Sequence, residues 1–320
     1  MSELPQDTTI SESETFDIVG NRAATFDPRD VLLHLENVRK SYDTPQGVKH
    51  VLENVDLRVS EGEFVSLVGS SGAGKSTLFR LILGQEEETS GSLYLAGEPI
   101  GFPDPTRGIV DQEYALFPHL TVLENILLGH RLGLSFAAWR HQKKDIVTQA
   151  ERYLETAQLL DHKDKYSHQL SGGQRQRAAV MQALIKNPKV LLMDEPFGAL
   201  DPGVRARMQT FLLERWMESR KTIIFVTHDL EEAVLLGNRI VVLSQHYSDG
   251  RGEGADRGSR ILLDMPVNKM DKGHPDFTKT IELVRSYVSK PAHAWHLKQF
   301  YLRHSNSFHT VSQDEFPANR

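Results

Sequence analysis

Phe64-Val65-Ser66-Leu67-Val68-Gly69-Ser70-Ser71-Gly72-Ala73-Gly74-Lys75-Ser76 decides the fold. It opens with a short apolar run that reads as a buried strand, continues into a glycine-rich turn, and leads into a helix expected from about Lys75 to a stop at Gly84. Residues 69–76 fit G-x-x-x-x-G-K-[ST] in full, and strand, loop and helix come in the order a phosphate-binding loop requires. The glycines allow a tight turn whose amides approach phosphate oxygens. Lys75 is then placed to reach β- and γ-phosphates and Ser76 to ligate a bridging magnesium ion.

Outward from this loop, apolar runs at 190–193, 222–226 and 240–243 alternate with helices expected at about 201–220 and 229–237. Alternation of this kind predicts an α/β fold with a mostly parallel sheet and crossover helices. Before the loop, residues 31–38 and 50–59 read as strands. Between about 113 and 185 the pattern is helical, with Ile146, Ala150, Tyr153, Leu154 and Ala157 at helical spacing, so a separate helical insert is expected. Residues 245–259, with four glycines and many charges, read as a flexible loop, and Phe277, Ile281, Val284 and Val288 mark a late amphipathic helix.

Composition narrows the function classes. Of the net charge of −6, residues 1–30 supply −5, seven acids against two arginines, and with few apolar side chains residues 1–29 read as a disordered acidic leader. The remainder is close to neutral, which argues against nucleic-acid partners. No apolar run approaches the roughly 18 residues of a membrane span, no secretory leader is visible, and the absence of cysteine fits a reducing cytosol.

Two further motifs carry chemistry. Val190-Leu191-Leu192-Met193-Asp194-Glu195 is a buried strand ending in two carboxylates: Asp194 is suited to hold magnesium and Glu195 to orient and deprotonate an attacking water. Leu170-Ser171-Gly172-Gly173-Gln174 is a small-residue turn opening a helix; read alone it is either an anion-facing turn or an ordinary helix cap.

The run at 170–174, the phosphate loop and the Asp194-Glu195 strand together resemble the ATP-binding subunit of an ATP-binding cassette (ABC) transporter, over roughly residues 31–245. The resemblance implies the ABC ATPase fold, a P-loop core with an N-terminal antiparallel β subdomain and a helical insert. It implies ATP and Mg2+ as ligands and two ATP sites sandwiched head to tail in a dimer, of identical chains or close paralogues, so that Ser171, Gly172, Gly173 and Gln174 of one subunit close over the ATP held by the other. It also implies nucleotide contacts along Gly69, Ser70, Ser71, Gly72, Ala73, Gly74, Lys75, Ser76 and Thr77, with Ser76, Gln112 and Asp194 about the metal. Gln112 follows Asp111 where relatives commonly have an apolar residue; by itself it reads as a solvated glutamine. His228 matches the switch histidine that bonds the γ-phosphate, and with Glu195, Lys75 and Gln112 completes the expected catalytic set. Asp201 matches a loop crossing the dimer interface, or serves as a helix N-cap before Pro202. Tyr42 matches an aromatic that stacks on adenine, its plain alternative being an exposed turn tyrosine.

Residues 194–201, Asp-Glu-Pro-Phe-Gly-Ala-Leu-Asp, resemble importer subunits, and the short tail is similar to the nitrate, sulfonate and taurine importer branch. The expected partners are integral-membrane permease subunits and, indirectly, an extracytoplasmic solute-binding protein, with the chain lying on the inner face of the cell membrane. The expected organisation is a leader at 1–29, an ATPase domain at 30–245 and a C-terminal extension at 246–320. Competing readings are another ABC transporter class, a soluble ABC ATPase outside transport, and an ATP-binding subunit without turnover. His293, Trp295, His296, Phe300, Tyr301 and His304 form a tail that departs from the importer branch; histidines at 293 and 296 would share a helical face, a weak metal site at best.

Overall fold

The computed structural model describes residues 31–111, 116–186, 188–249, 251, 256–267, 272–289 and 295–296. The chain begins with two long antiparallel strands, β1 (Val31–Thr44) and β2 (Gly47–Ser60), joined by a tight turn. They extend several residues beyond the expected 31–38 and 50–59, because the pairing ribbon continues through polar residues without apolar alternation. Next come β3 (Phe64–Val68), α1 (Lys75–Leu83), β4 (Ser90–Leu95), β5 (Glu98–Pro99) and β6 (Arg107–Val110). The order β2-β1-β4-β5 makes an antiparallel N-terminal sheet.

The helical insert holds α2 (Val122–Gly133), α3 (Phe136–Thr156) and α4 (Gly172–Ile185). The chain returns through β7 (Val190–Asp194), α5 (Pro202–Ser219), β8 (Thr222–Val226), α6 (Leu230–Leu236) and β9 (Arg239–Ser244). It then forms β10 (Tyr247–Ser248), β11 (Arg260–Pro266), α7 (Pro275–Val288) and β12 (Trp295–His296). The core sheet has the order β11-β9-β3-β8-β7-β6, parallel except for the edge strand β11. This is the ABC ATPase fold anticipated from the motifs.

Burial on both faces explains the continuous apolar runs. Successive side chains of a strand point to opposite faces, so Val190 and Leu192 of β7 and Ile224 and Val226 of β8 pack beneath α1 and the N-terminal sheet. Leu191, Met193, Ile223 and Phe225 instead pack against the helical insert and α5. Gly84 ends α1 as a left-handed cap at φ 72, and a Cβ there would lie 1.8 Å from the Gly101 carbonyl oxygen, so only glycine fits.

Two expectations about the C-terminal part need correction. Beyond the apolar run at 240–243, β11 adds an antiparallel edge that the alternation did not include, and α6, β9, β11 and α7 share a third core of Val234, Val242, Leu263, Phe277, Ile281 and Val284. The cut drawn after residue 245 therefore does not coincide with a break in packing. Nor is the described part of 245–259 a loose loop. Tyr247 is buried, its phenol is pushed up to about 12 by that burial, and it donates to Glu53 of β2 at 3.1 Å. Arg251 and Arg260 pair with the same carboxylate at 2.9 and 3.4 Å. At 295–296 the chain is a short strand parallel to β10, so the helical face imagined for the two histidines does not form there; His293, Phe300, Tyr301 and His304 lie outside the described residues.

Candidate active site

The phosphate loop sits at the C-terminal end of β3, where its backbone turns through Ala73 N–H to Ser70 O at 3.1 Å into α1. Gly74 caps the helix at φ 83, and a Cβ there would meet Leu52 and Val51 of β2 at 2.9 and 3.0 Å. Lys75 is 7 % exposed, and its Nζ donates to the carbonyls of Gly69 at 2.8 Å and Ser70 at 2.9 Å. Burial holds its pKa below the ordinary lysine value, opposed by the carboxylates of Asp194 and Glu195.

At the end of β7, Asp194 is 7 % exposed and accepts a hydrogen bond from Ser76 Oγ at 3.2 Å. Burial raises its pKa, and the neighbouring Glu195 and Asp111 carboxylates add to the shift. A desolvated carboxylate beside a helix-borne hydroxyl is a donor set that suits a hard divalent cation. Glu195 is held in the left-handed region at φ 48. Its N–H donates to Val226 O of β8 at 2.9 Å, and its carboxylate lies 2.7 Å from His228 Nε2. His228 follows β8, and its loop is anchored beneath by buried Glu232, which accepts from Thr227 Oγ1 at 2.5 Å and from Gln209 Nε2 at 2.8 Å.

Tyr42, residues 71–77, Asp194, Glu195 and His228 line one cleft of about 530 Å³, together with Lys49, His50, Val51 and Gln245. Gly69 and Ser70 line instead a second cavity shared with the His228 loop and α7. The Tyr42 hydroxyl donates to Glu86, which also pairs with Arg80 and Lys40 at 3.1 and 3.4 Å. Tyr42 is thus a braced ring in the lining of the cleft and not a free turn tyrosine.

Ser171, Gly172, Gly173, Gln174 and Asp201 do not line this cleft. Ser171 and Gln174 form a reciprocal cap on α4, with Gln174 N donating to Ser171 Oγ at 3.3 Å and Ser171 N to Gln174 Oε1 at 2.9 Å. Asp201 caps α5 through Val204 N–H at 3.0 Å. Gln112 lies outside the described residues. The sequence reading missed Lys49, His50, Val51, Gln245, Glu86 and Glu232. Only Glu232, four residues after His228 and on the same short helix start, left a local hint.

A phosphate loop beside a strand ending in paired carboxylates, with an imidazole just after the neighbouring strand, defines a P-loop nucleotidase. The chain belongs to the ABC transporter family, whose domain it matches over residues 52–198. It is 40 % identical over 221 residues to the nitrate import ATP-binding protein NrtD of Synechococcus elongatus, covering 69 % of this chain and 79 % of that protein. It is 39 % identical over 210 residues to the aliphatic sulfonates import ATP-binding protein SsuB of Bacillus cereus, covering 66 % and 80 %. Among solved structures it resembles the dimeric ABC transporter cassette MJ0796, with a TM-score of 0.64 and 31 % identity over 75 % of this chain and 100 % of that one. The same cassette bound to ADP and Pi matches with a TM-score of 0.63 and 30 % identity, again over 75 % and 100 %. The chain is accordingly an ATP-binding and ATP-hydrolysing subunit.

Proposed function

We propose that this chain energises import of a small anion, as nitrate, sulfonate or a similar solute, by hydrolysing ATP at a site completed by a second copy. The observation that carries the catalytic reading is the convergence of Lys75, Ser76, Asp194, Glu195 and His228 on one cleft. In this reading Lys75 Nζ leaves the Gly69 and Ser70 carbonyls for the β- and γ-phosphates. Glu195 takes a proton from the water that attacks the γ-phosphorus, the bond to the β-bridging oxygen breaks, and ADP and phosphate result. His228 donates to a γ-phosphate oxygen and is kept near Glu195 by their 2.7 Å contact. Ser76, Asp194 and Gln112 would hold a magnesium ion, which would supply positive charge against the phosphates.

The anion reading rests on the names of the relatives, and the partner reading on a groove of about 720 Å³ between α2 and α3. Leu120, Leu123, Leu127, Trp139 and Val147 line it, and Phe136 stands at its edge 80 % exposed. A mainly apolar groove of this size, with Glu124, Arg131 and Lys143 also in its lining, suits a segment of a permease subunit at the inner membrane face, with the solute-binding protein acting across the membrane. Among the described residues no helix is long and apolar enough to cross a membrane. The ATPase unit is taken to include β11 and α7, beyond the 30–245 first drawn.

Two measurements test this reading. Because Ser171 does not line the cleft of its own Lys75, it is assigned to the partner's ATP. Mixing Lys75→Ala chains with Ser171→Arg chains should restore turnover well above either parent in a non-cooperative assay; a mixture no better than its parents removes the trans assignment. For the metal, Asp194→Asn should leave the ligand-free melting temperature unchanged or higher. A carboxylate whose folded pKa is raised contributes its full stability below the unfolded pKa and loses it as pH rises through the folded value. The gain of the variant should therefore be seen near neutral pH and vanish as pH falls into the carboxylate range. The extra stabilisation that Mg2+ adds to ATP, read by thermal unfolding with and without chelator, should disappear in the variant.

A further inference from the structure

Gln176 is fully buried on α4, one turn beyond the Ser171 cap, and its Nε2 donates to the carbonyl oxygen of Glu195 at 3.2 Å. A carbonyl only accepts, so the amide nitrogen must face it. The other amide atom, Oε1, has no hydrogen-bond partner and is itself buried. A half-satisfied buried amide is costly, and an apolar side chain of similar volume would fill the place without that cost.

The bond it makes is to a residue whose backbone needs support, one of six non-glycine residues at positive φ among the described residues. Glu195 is not glycine, yet it stands at φ 48, a conformation that persists only where neighbours over-determine it. Val226 O takes its N–H, Gly198 N–H donates to its carbonyl at 3.2 Å, and Gln176 supplies the remaining tie from a separate element. That conformation points the carboxylate to within 2.7 Å of His228.

We propose that Gln176 is a positioning residue for Glu195 of its own chain, so that Ser171 and Gln176, about 7 Å apart along one helix, serve two different ATP sites. Gln176 acts in cis through the Glu195 backbone, while Ser171 acts in trans at the partner's nucleotide. The trans half rests on the dimer reading above; the cis half does not. A rigid α4 then joins the part that closes on one ATP to the backbone that aims the base at the other.

The cis half is tested in the full-length chain with Gln176→Met, or Gln176→Leu if that variant better keeps the wild-type melting temperature. Turnover should fall at least about tenfold with the KM for ATP nearly unchanged, as expected when transition-state positioning alone is lost. In a Glu195→Gln background the same change should cost nothing further, because the base it positions is gone. Wild-type turnover, or a loss that multiplies in the double variant, overturns the proposal. For the trans half, Lys75→Ala chains are mixed in parallel with Gln176→Met chains and with Ser171→Arg chains. Rescue is expected only in the second mixture, and rescue in both overturns the cis assignment. Rescue in neither overturns the trans half and the dimer reading with it, leaving the cis half to stand or fall on the double-variant result.

Discussion

Glu195→Gln is expected to bind ATP normally, to hydrolyse it roughly 10²- to 10⁴-fold more slowly, and to accumulate as an ATP-bound dimer. The geometry explains why the loss should fall on turnover. Among the described residues no hydrogen bond or ion pair joins Glu195 to the glycine-rich loop, although its charge acts on Lys75; its carboxylate meets His228 at 2.7 Å, and its N–H and carbonyl are fixed by β8, the 195–198 turn and α4. Glutamine keeps the side-chain length and a hydrogen bond to the imidazole but cannot accept a proton from water. Lys75, Ser76 and Tyr42 are untouched, so ATP affinity by equilibrium binding should stay near wild type. Phosphate release gives the rate, and light scattering with and without ATP gives the association state. Turnover close to wild type would remove Glu195 as the base and transfer that role to a group outside the paired carboxylates.

Arg239→Met is expected to be the most destabilising single change outside the site, costing about 3–5 kcal/mol. Arg239 opens β9 and is buried, with its guanidinium against Asp264 of β11 in a two-pronged pair, Nε to Oδ1 and Nη2 to Oδ2, both at 2.7 Å. Its Nη1 also reaches the Arg58 carbonyl at 2.7 Å and Glu63 at 2.9 Å. The carboxylates around it hold its pKa above the ordinary arginine value despite burial. Removing the cation strands the Asp264 carboxylate in a site 1 % exposed, which is the costly half of breaking a buried pair. Urea unfolding measures the loss. The double change Arg239→Met with Asp264→Leu should recover part of it, because two apolar groups leave no unpaired charge. A loss below about 1 kcal/mol would mean that the edge strand is held by its ladder and core alone.

Much of the fold was legible because its signals are local. The phosphate loop, the apolar strands at 64–68, 190–194 and 222–226, and the capped helices follow from residues adjacent in the chain, whose spacing states a period and a direction. The C-terminal part was less legible for a physical reason. Glycines and charges at 245–259 look like solvent-facing loop, yet Tyr247, Arg251 and Arg260 are gathered by Glu53, about two hundred residues earlier. Arg260-Ile261-Leu262-Leu263-Asp264 lies in the tail that resembles the importer branch, but nothing in it told that β9 would take it as an antiparallel edge.

The same division runs through the site. Lys75, Ser76, Asp194, Glu195 and His228 were named from motifs, since each stands at a strand end or helix start that short-range sequence specifies. Glu86 behind Tyr42, Glu232 beneath His228 and Gln176 behind Glu195 are lone polar residues whose meaning depends on what lies across the core.

By itself, the amino-acid sequence determined that this chain folds as an ATP-binding cassette and named five side chains, Lys75, Ser76, Asp194, Glu195 and His228, that meet in one cleft, because glycine freedom, strand periodicity and helix capping act between near neighbours. Only the tertiary structure decided that Ser171 does not line the cleft of its own Lys75, that the left-handed Glu195 accepts a hydrogen bond from Gln176 across the core, and that β11 forms an edge of the sheet. These depend on burial and hydrogen bonds between segments far apart in the chain, and such pairings are chosen only when the whole core packs.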